Sequence, residues 1–97
     1  MAHEIKVAEL KAALAERLPL QVVDVRLEQE GGAIPGAVHV PLTEVDTYAW
    51  PWPRDTIVVV YCQWGREASR YAAEVLEEAG YTDVRLLTGG FQAWELG

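Results

Sequence analysis

The sequence predicts an α/β domain of three layers, with a mostly parallel central sheet of about five strands and helices on both faces. Short apolar runs at residues 20–25, 57–61 and 84–87 are rich in valine, isoleucine and leucine and have the length and composition of buried strands. Between them lie segments whose apolar residues recur every three to four positions, the spacing of helices with one buried face. Strands alternating with helices imply right-handed crossovers, which make the strands parallel and cover both faces of the sheet. At 97 residues, 51% hydrophobic and 24% charged, the composition is ordinary for one globular domain spanning 1–97 around a single core.

In order, residues 4–6 make at most a short edge strand. Val7, Leu10, Leu14 and Leu18 then mark a first helix over 7–18, ended by Pro19. Residues 20–25 form a strand with Asp24 and Arg26 at its polar end, and the glycine-bearing stretch 27–32 is loop. Ile34, Pro35, Gly36 and Ala37 read as a turn into a short strand over 38–40, stopped by Pro41. Residues 42–48 suit a short helix with Leu42 and Val45 inward. Trp50, Pro51, Trp52 and Pro53 cannot continue it. The strand at 57–61 is followed by a tight loop and a helix over 68–79, with Tyr71, Ala72, Val75, Leu76 and Ala79 on its apolar stripe and Gly80 as its C-terminal cap. A strand at 84–87, a turn at Gly89 and Gly90, and a closing helical turn over 91–96 complete the chain.

The net charge of -7 disfavours nucleic acid and anionic membranes as partners, because both are bound through basic patches. An anionic substrate therefore has to be held by a local positive site. The single cysteine permits no internal disulfide. No stretch has membrane-spanning length, and residues 1–6 lack the basic-then-apolar layout of a signal peptide, so a cytoplasmic location is expected.

Cys62 is the candidate nucleophile. It stands between the most apolar strand and an amphipathic helix, where free amides and the positive end of the helix dipole stabilise a thiolate. A cysteine can equally pack as a small hydrophobe, but then a place inside the strand or on the helix stripe is expected. Gly65 permits a tight backbone that aims several N–H groups at one sulfur. In open parallel sheets ligands bind beyond the carboxyl ends of the strands, where Cys62, Asp24 and Arg26 all fall.

Four segments stand out in order: Val22-Val23-Asp24-Val25-Arg26, Ile34-Pro35-Gly36-Ala37-Val38-His39-Val40-Pro41, the six residues 62–67, and Gly89-Gly90-Phe91-Gln92-Ala93-Trp94. Through them the sequence resembles the single-domain rhodaneses, a family of sulfurtransferases, over nearly its whole length. The resemblance implies that Cys62 takes the outer sulfur of thiosulfate or a similar small anionic donor as a persulfide and passes it on. Cyanide serves as acceptor in vitro, and a thiol or sulfur-carrier protein in the cell. It further implies that the loop residues Gln63, Trp64, Gly65, Arg66, Glu67 and Ala68 bind the substrate, with their backbone amides around the persulfide and Arg66 meeting the donor's oxyanion. No metal or organic cofactor is implied. The pattern departs at Glu67, where thiosulfate-using members often carry arginine, at the bulky Trp64, at Ala33 in place of a common histidine, and in a slightly shortened loop before Pro35.

Among the remaining residues, Asp24 and Arg26 are expected to brace the active loop, with Arg26 pairing with Glu28 or Glu30. His39 is expected to be structural, Tyr61 to pack in its strand, Arg70 to be solvated and Trp94 to lie in the core. Trp50 and Trp52 are read as a packed lid or a partner surface. Two other functions stand beside the sulfurtransferase. A non-catalytic binding module on the same fold needs no reactive thiol. A phosphatase or arsenate reductase of the related fold needs an arginine six residues after the cysteine, where this chain has Ala68.

Overall fold

The computed structural model describes residues 2–97. The elements run β1 (His3–Ile5), α1 (Val7–Ala15), β2 (Leu20–Asp24), β3 (Val38–His39), a 3-10 helix (Leu42–Glu44), β4 (Ile57–Tyr61), α2 (Glu67–Glu78), β5 (Asp83–Leu87) and α3 (Gly90–Leu96). The five strands form one sheet in the order β1-β5-β4-β2-β3, and every pairing is parallel. The predicted fold class is the one observed.

β4 lies at the centre, in register with β2 through Val22 and Val59 and with β5 through Val59 and Arg85. Its side chains alternate between the two apolar layers. Val58 and Val60 face one cluster with Val23, Val25, Val84 and the α2 residues Ala72, Ala73 and Leu76. Val59 and Tyr61 face the other, with Leu10 of α1, Phe91 of α3, Ile34 and Leu87. A strand buried on both faces needs an unbroken apolar sequence, which Ile57–Tyr61 supplies. Full burial of each such side chain stabilises the fold by about 1.5–3 kcal/mol.

Three elements differ from expectation. α1 ends at Ala15, because Arg17 adopts a left-handed φ of 57° while Leu18 N–H reaches Ala13 O at 3.0 Å and Arg17 N–H reaches Leu14 O at 3.1 Å. This pair of bonds closes the helix before Pro19 and leaves Leu18 exposed. The segment after Pro41 is a 3-10 turn of three residues, with Val45 still fully buried. On α2 the buried stripe is Ser69, Ala72, Ala73 and Leu76, whereas Tyr71 is exposed and donates to Asp46 Oδ1 at 2.6 Å. The cap at Gly80 is as predicted, with φ of 106° and Tyr81 N–H on Leu76 O at 3.1 Å.

Trp52 lies near the amino end of β5. Arg54 Nη1 and the Tyr81 hydroxyl both donate to Trp52 O, at 3.0 and 2.7 Å, which fastens this segment beside the start of β5. Trp50 is buried against Tyr48 and packs into the core on the α2 side. Trp50 is thus core packing, and Trp52 is half-buried against the same core. Trp94 is half-buried on α3, with the Lys11 ammonium 5.1 Å from its ring. No helix among the described residues is long and apolar enough to cross a membrane.

Candidate active site

Cys62 follows β4 directly and is 6% exposed. Its sulfur receives the Arg66 N–H at 3.3 Å and lies 3.4 Å from Ser69 Oγ, to which the thiol donates. Burial pushes the thiol up, but hydrogen bonds from the Ser69 hydroxyl and from the backbone N–H groups of Arg66, Ser69 and Trp64 outweigh it, leaving Cys62 below its ordinary value. Such a thiol has the character of a nucleophile.

Backbone contact between two glycine-bearing turns fixes the loop. Gly65 has φ of 68°, and a Cβ there would stand 2.7 Å from Gly89 N and 2.9 Å from Gly90 N. Gly90, with φ of 64°, would drive a Cβ into Cys62 O and to within 2.5 Å of Gly65 N. The first amides of α3 complete the junction, with Phe91 N–H on Cys62 O at 2.9 Å and Gln92 N–H on Gln63 O at 3.0 Å. The Cys62 and Gln63 carbonyls therefore satisfy first-turn amides of α3, while the Arg66 amide faces the sulfur.

The other side of the loop rests on a buried ion pair. Asp24 is completely buried and accepts from Arg26 Nη2 at 2.8 Å, Arg26 Nε at 3.1 and 3.2 Å, the Arg26 backbone N–H at 3.0 Å, Gln29 Nε2 at 3.1 Å and the Tyr61 hydroxyl at 2.9 Å. Burial pushes the carboxyl up, and these donors, Arg26 foremost, hold it below the ordinary carboxylate range. The remaining Arg26 N–H groups reach Gly32 O at 2.6 Å, Glu30 O at 3.0 Å and Gln63 Oε1 at 3.0 Å. Arg26 thus pairs with Asp24 and touches Glu30 only through its main chain, in place of the expected bond to a Glu28 or Glu30 carboxylate. Its guanidinium lies 4.1 Å from the Phe91 ring centroid.

Tyr61 does more than pack. Its hydroxyl donates to Asp24 and accepts from Ile34 N–H at 3.2 Å, and burial together with the Asp24 charge pushes the phenol up to about 12. His39 is exposed and bonds through Nε2 to Arg26 O at 2.7 Å, far from a general-base role.

Above the sulfur is an opening of about 360 Å³ lined by Val25, Leu27, Leu42, Trp64 and Ala68, with Arg26, Gln63 and Arg66 at its edges. Trp64 is 53% and Leu27 64% exposed, so the rim is apolar. Arg66 also borders a neighbouring depression with Gly65, Glu67 and Arg70, and Arg66, Glu67 and Arg70 are all exposed there. Of the loop residues, Cys62, Gln63, Trp64, Arg66 and Ala68 line this opening, whereas Gly65 and Glu67, the latter the first residue of α2, border the neighbouring depression. Ser69, Gly89, Gly90 and Phe91 join the site without having been assigned to it. For Ser69 a signal exists: with Ala72, Ala73 and Leu76 it has the i, i+3, i+4, i+7 spacing of the buried face. Among the described residues no group of three or more His, Cys, Asp or Glu side chains could hold a metal ion.

Residues 6–96 match the family described as Rhodanese-like domain. The chain is 32% identical to a sulfurtransferase of Allochromatium vinosum over 96 residues, covering 97% of this chain and 89% of that protein. It is 29% identical over 108 residues to the thiosulfate:glutathione sulfurtransferase of Homo sapiens, with 96% of this chain and 93% of that protein covered. The crystal structure of a rhodanese-like domain protein from Staphylococcus aureus superimposes with a TM-score of 0.83 at 33% identity, covering 95% of this chain and 90% of that one.

Proposed function

Because the chain belongs to the rhodanese-like domain family, we propose that residues 1–97 act as one sulfurtransferase domain in which Cys62 carries a sulfane sulfur as a persulfide. The observation that carries this reading is the Cys62 sulfur at the carboxyl end of β4, lowered in pKa and facing the Arg66 amide at 3.3 Å and Ser69 Oγ at 3.4 Å.

In the first step the Cys62 thiolate attacks the outer sulfur of thiosulfate or a related small anionic donor. The new S–S bond forms as the donor's own sulfur–sulfur bond breaks, and sulfite leaves with the bonding pair. Arg66 meets the oxyanion end of the donor, and the loop amides stabilise the terminal sulfur anion. In the second step a thiophilic acceptor attacks the terminal sulfur and the Cys62 thiolate departs. Cyanide performs this step in vitro. In a reducing cytoplasm the acceptor is a thiol or a sulfur-carrier protein, which reaches the persulfide across the apolar rim of Leu27 and Trp64. Gln63, Trp64, Gly65, Arg66, Glu67 and Ala68 form the substrate-binding loop, and Asp24 and Arg26 hold it from below.

The reading is tested by thiocyanate production from thiosulfate and cyanide. Turnover that Cys62→Ser abolishes supports it, and turnover retained in Cys62→Ser refutes it.

A further inference from the structure

Ser69 is the only serine in the sequence, and it is 1% exposed. Its hydroxyl lies 3.0 Å from Arg66 O, to which it donates, and 3.4 Å from Cys62 Sγ. A hydroxyl has a single proton and can serve only one of these neighbours at a time. With Cys62 a thiol both bonds are satisfied, because the S–H donates to Ser69 Oγ while the Ser69 O–H donates to Arg66 O. With Cys62 ionised the first bond has no proton, and a buried anion then faces an oxygen lone pair. Rotation of the hydroxyl onto the sulfur removes that conflict at little cost, since Arg66 O keeps the Arg70 N–H at 3.3 Å.

We propose that Ser69 is a positioning residue for the sulfur-transfer reaction, its one hydroxyl proton turning from the Arg66 carbonyl to the Cys62 sulfur whenever that sulfur carries negative charge. The proposal rests on the sulfurtransferase reading and specifies how that site handles charge. In loading, the thiolate is held ready by the Ser69 O–H and the Arg66 N–H. As the S–S bond to the transferred sulfur forms and sulfite leaves with its electron pair, Sγ becomes a neutral divalent sulfur and the Ser69 proton returns to Arg66 O. In discharge, cyanide carbon bonds the terminal sulfur, the S–S pair falls back on Sγ, and the hydroxyl turns again to receive the departing thiolate. The charged side chains at the opening over Cys62 are Arg26, neutralised by Asp24, and Arg66, and no carboxylate lines it. The lowered thiol agrees with this arrangement, since the Ser69 hydroxyl opposes the effect of burial.

The test compares wild type, Ser69→Ala and Ser69→Thr in two measurements. The first is the pH dependence of Cys62 alkylation by iodoacetamide, which needs no turnover. The second is single-turnover discharge of the preloaded persulfide by cyanide, at a pH where Cys62 is ionised in all three. Loss of one hydrogen bond to an anion should raise the alkylation midpoint of Ser69→Ala by about one to two pH units. A leaving thiolate that is poorer by that amount should slow discharge about three- to tenfold. Ser69→Thr restores the hydroxyl and should recover both values to within about threefold of wild type. An unmoved midpoint in Ser69→Ala, or a Ser69→Thr protein as impaired as Ser69→Ala, overturns the proposal. Should Ser69→Ala not fold, Ser69→Gly carries the same expectation. If wild type takes no sulfur from any donor while Ser69→Ala still shifts the midpoint, the sulfurtransferase reading fails and the role of Ser69 in holding the thiolate survives.

Discussion

Arg26 donates to the Gln63 side chain across 3.0 Å, and through that bond a buried ion pair at the end of β2 supports the loop that follows β4. All five guanidinium N–H groups have acceptors: the Asp24 carboxylate, two main-chain carbonyls and Gln63. The arginine is thereby fixed and unavailable to substrate. On the proposed reading, the cationic contact with an anionic donor is assigned to Arg66, which lines the opening over Cys62.

Replacement of Arg26 by alanine strands a fully buried carboxylate. The expected loss of stability is about 3–5 kcal/mol, because one partner of a buried pair goes while the other remains charged. Arg26→Lys keeps the charge but not the fork and should fall between wild type and alanine. Urea unfolding of the three proteins measures this, and an Arg26→Ala loss within the range of surface substitutions would contradict the bracing role.

Stability should form a plateau that falls away at both pH extremes. The folded pKa of Asp24 lies below its ordinary value of 3.8, so its contribution is complete above that value and is lost as the pH falls toward the lower folded one. Tyr61 is raised from 10.0 to about 12, so its contribution holds below 10 and is lost as the pH rises between the two, by about 3 kcal/mol. Unfolding midpoints followed across the range should lose the alkaline decline in Tyr61→Phe and flatten the acid limb in Asp24→Asn.

At Gly90 any side chain meets Cys62 O, and its φ of 64° is strained for an L residue. Gly90→Ala should cost about 3 kcal/mol and slow Cys62 alkylation, because the loop must shift from under the sulfur. Gly36, at φ of 80° with open space around it, is the control: its alanine variant should bear only the backbone strain and leave the thiol unchanged.

Much of this was legible in the sequence. The unbroken apolar run of β4 placed the central strand, and the junction after it marked Cys62 as the candidate nucleophile. Gly89 and Gly90 were readable as a turn, but their contact with Gly65 depends on β5 lying beside β4, a long-range pairing that no local pattern carries. Ser69 is hard to see in the sequence because the apolar spacing of α2 runs as well through Tyr71, whereas the helix turns Tyr71 outward toward Asp46. Of the packed lid or partner surface expected at Trp50 and Trp52, the structure shows the packing: two tryptophans between prolines announce it, and only the bonds of Trp52 O to Arg54 and Tyr81 fasten it beside the start of β5.

Arg66→Ala should raise the KM for thiosulfate about ten- to a hundredfold through loss of a charge-assisted bond to the donor. The discharge of a preloaded persulfide by cyanide should barely change, since the donor's oxyanion has already left. Steady-state and single-turnover rates separate the two, and an equal effect on both steps would place Arg66 in the loop's structure instead of its donor site.

The most direct measurement is the mass of the intact protein before and after thiosulfate, and again after cyanide, with Cys62→Ser in parallel. A gain of one sulfur atom by the wild type, reversed by cyanide with release of thiocyanate and absent from Cys62→Ser, is the result the persulfide account predicts. No added sulfur from thiosulfate, mercaptopyruvate or an organic persulfide would contradict it and leave a rhodanese-like domain that binds partners without chemistry.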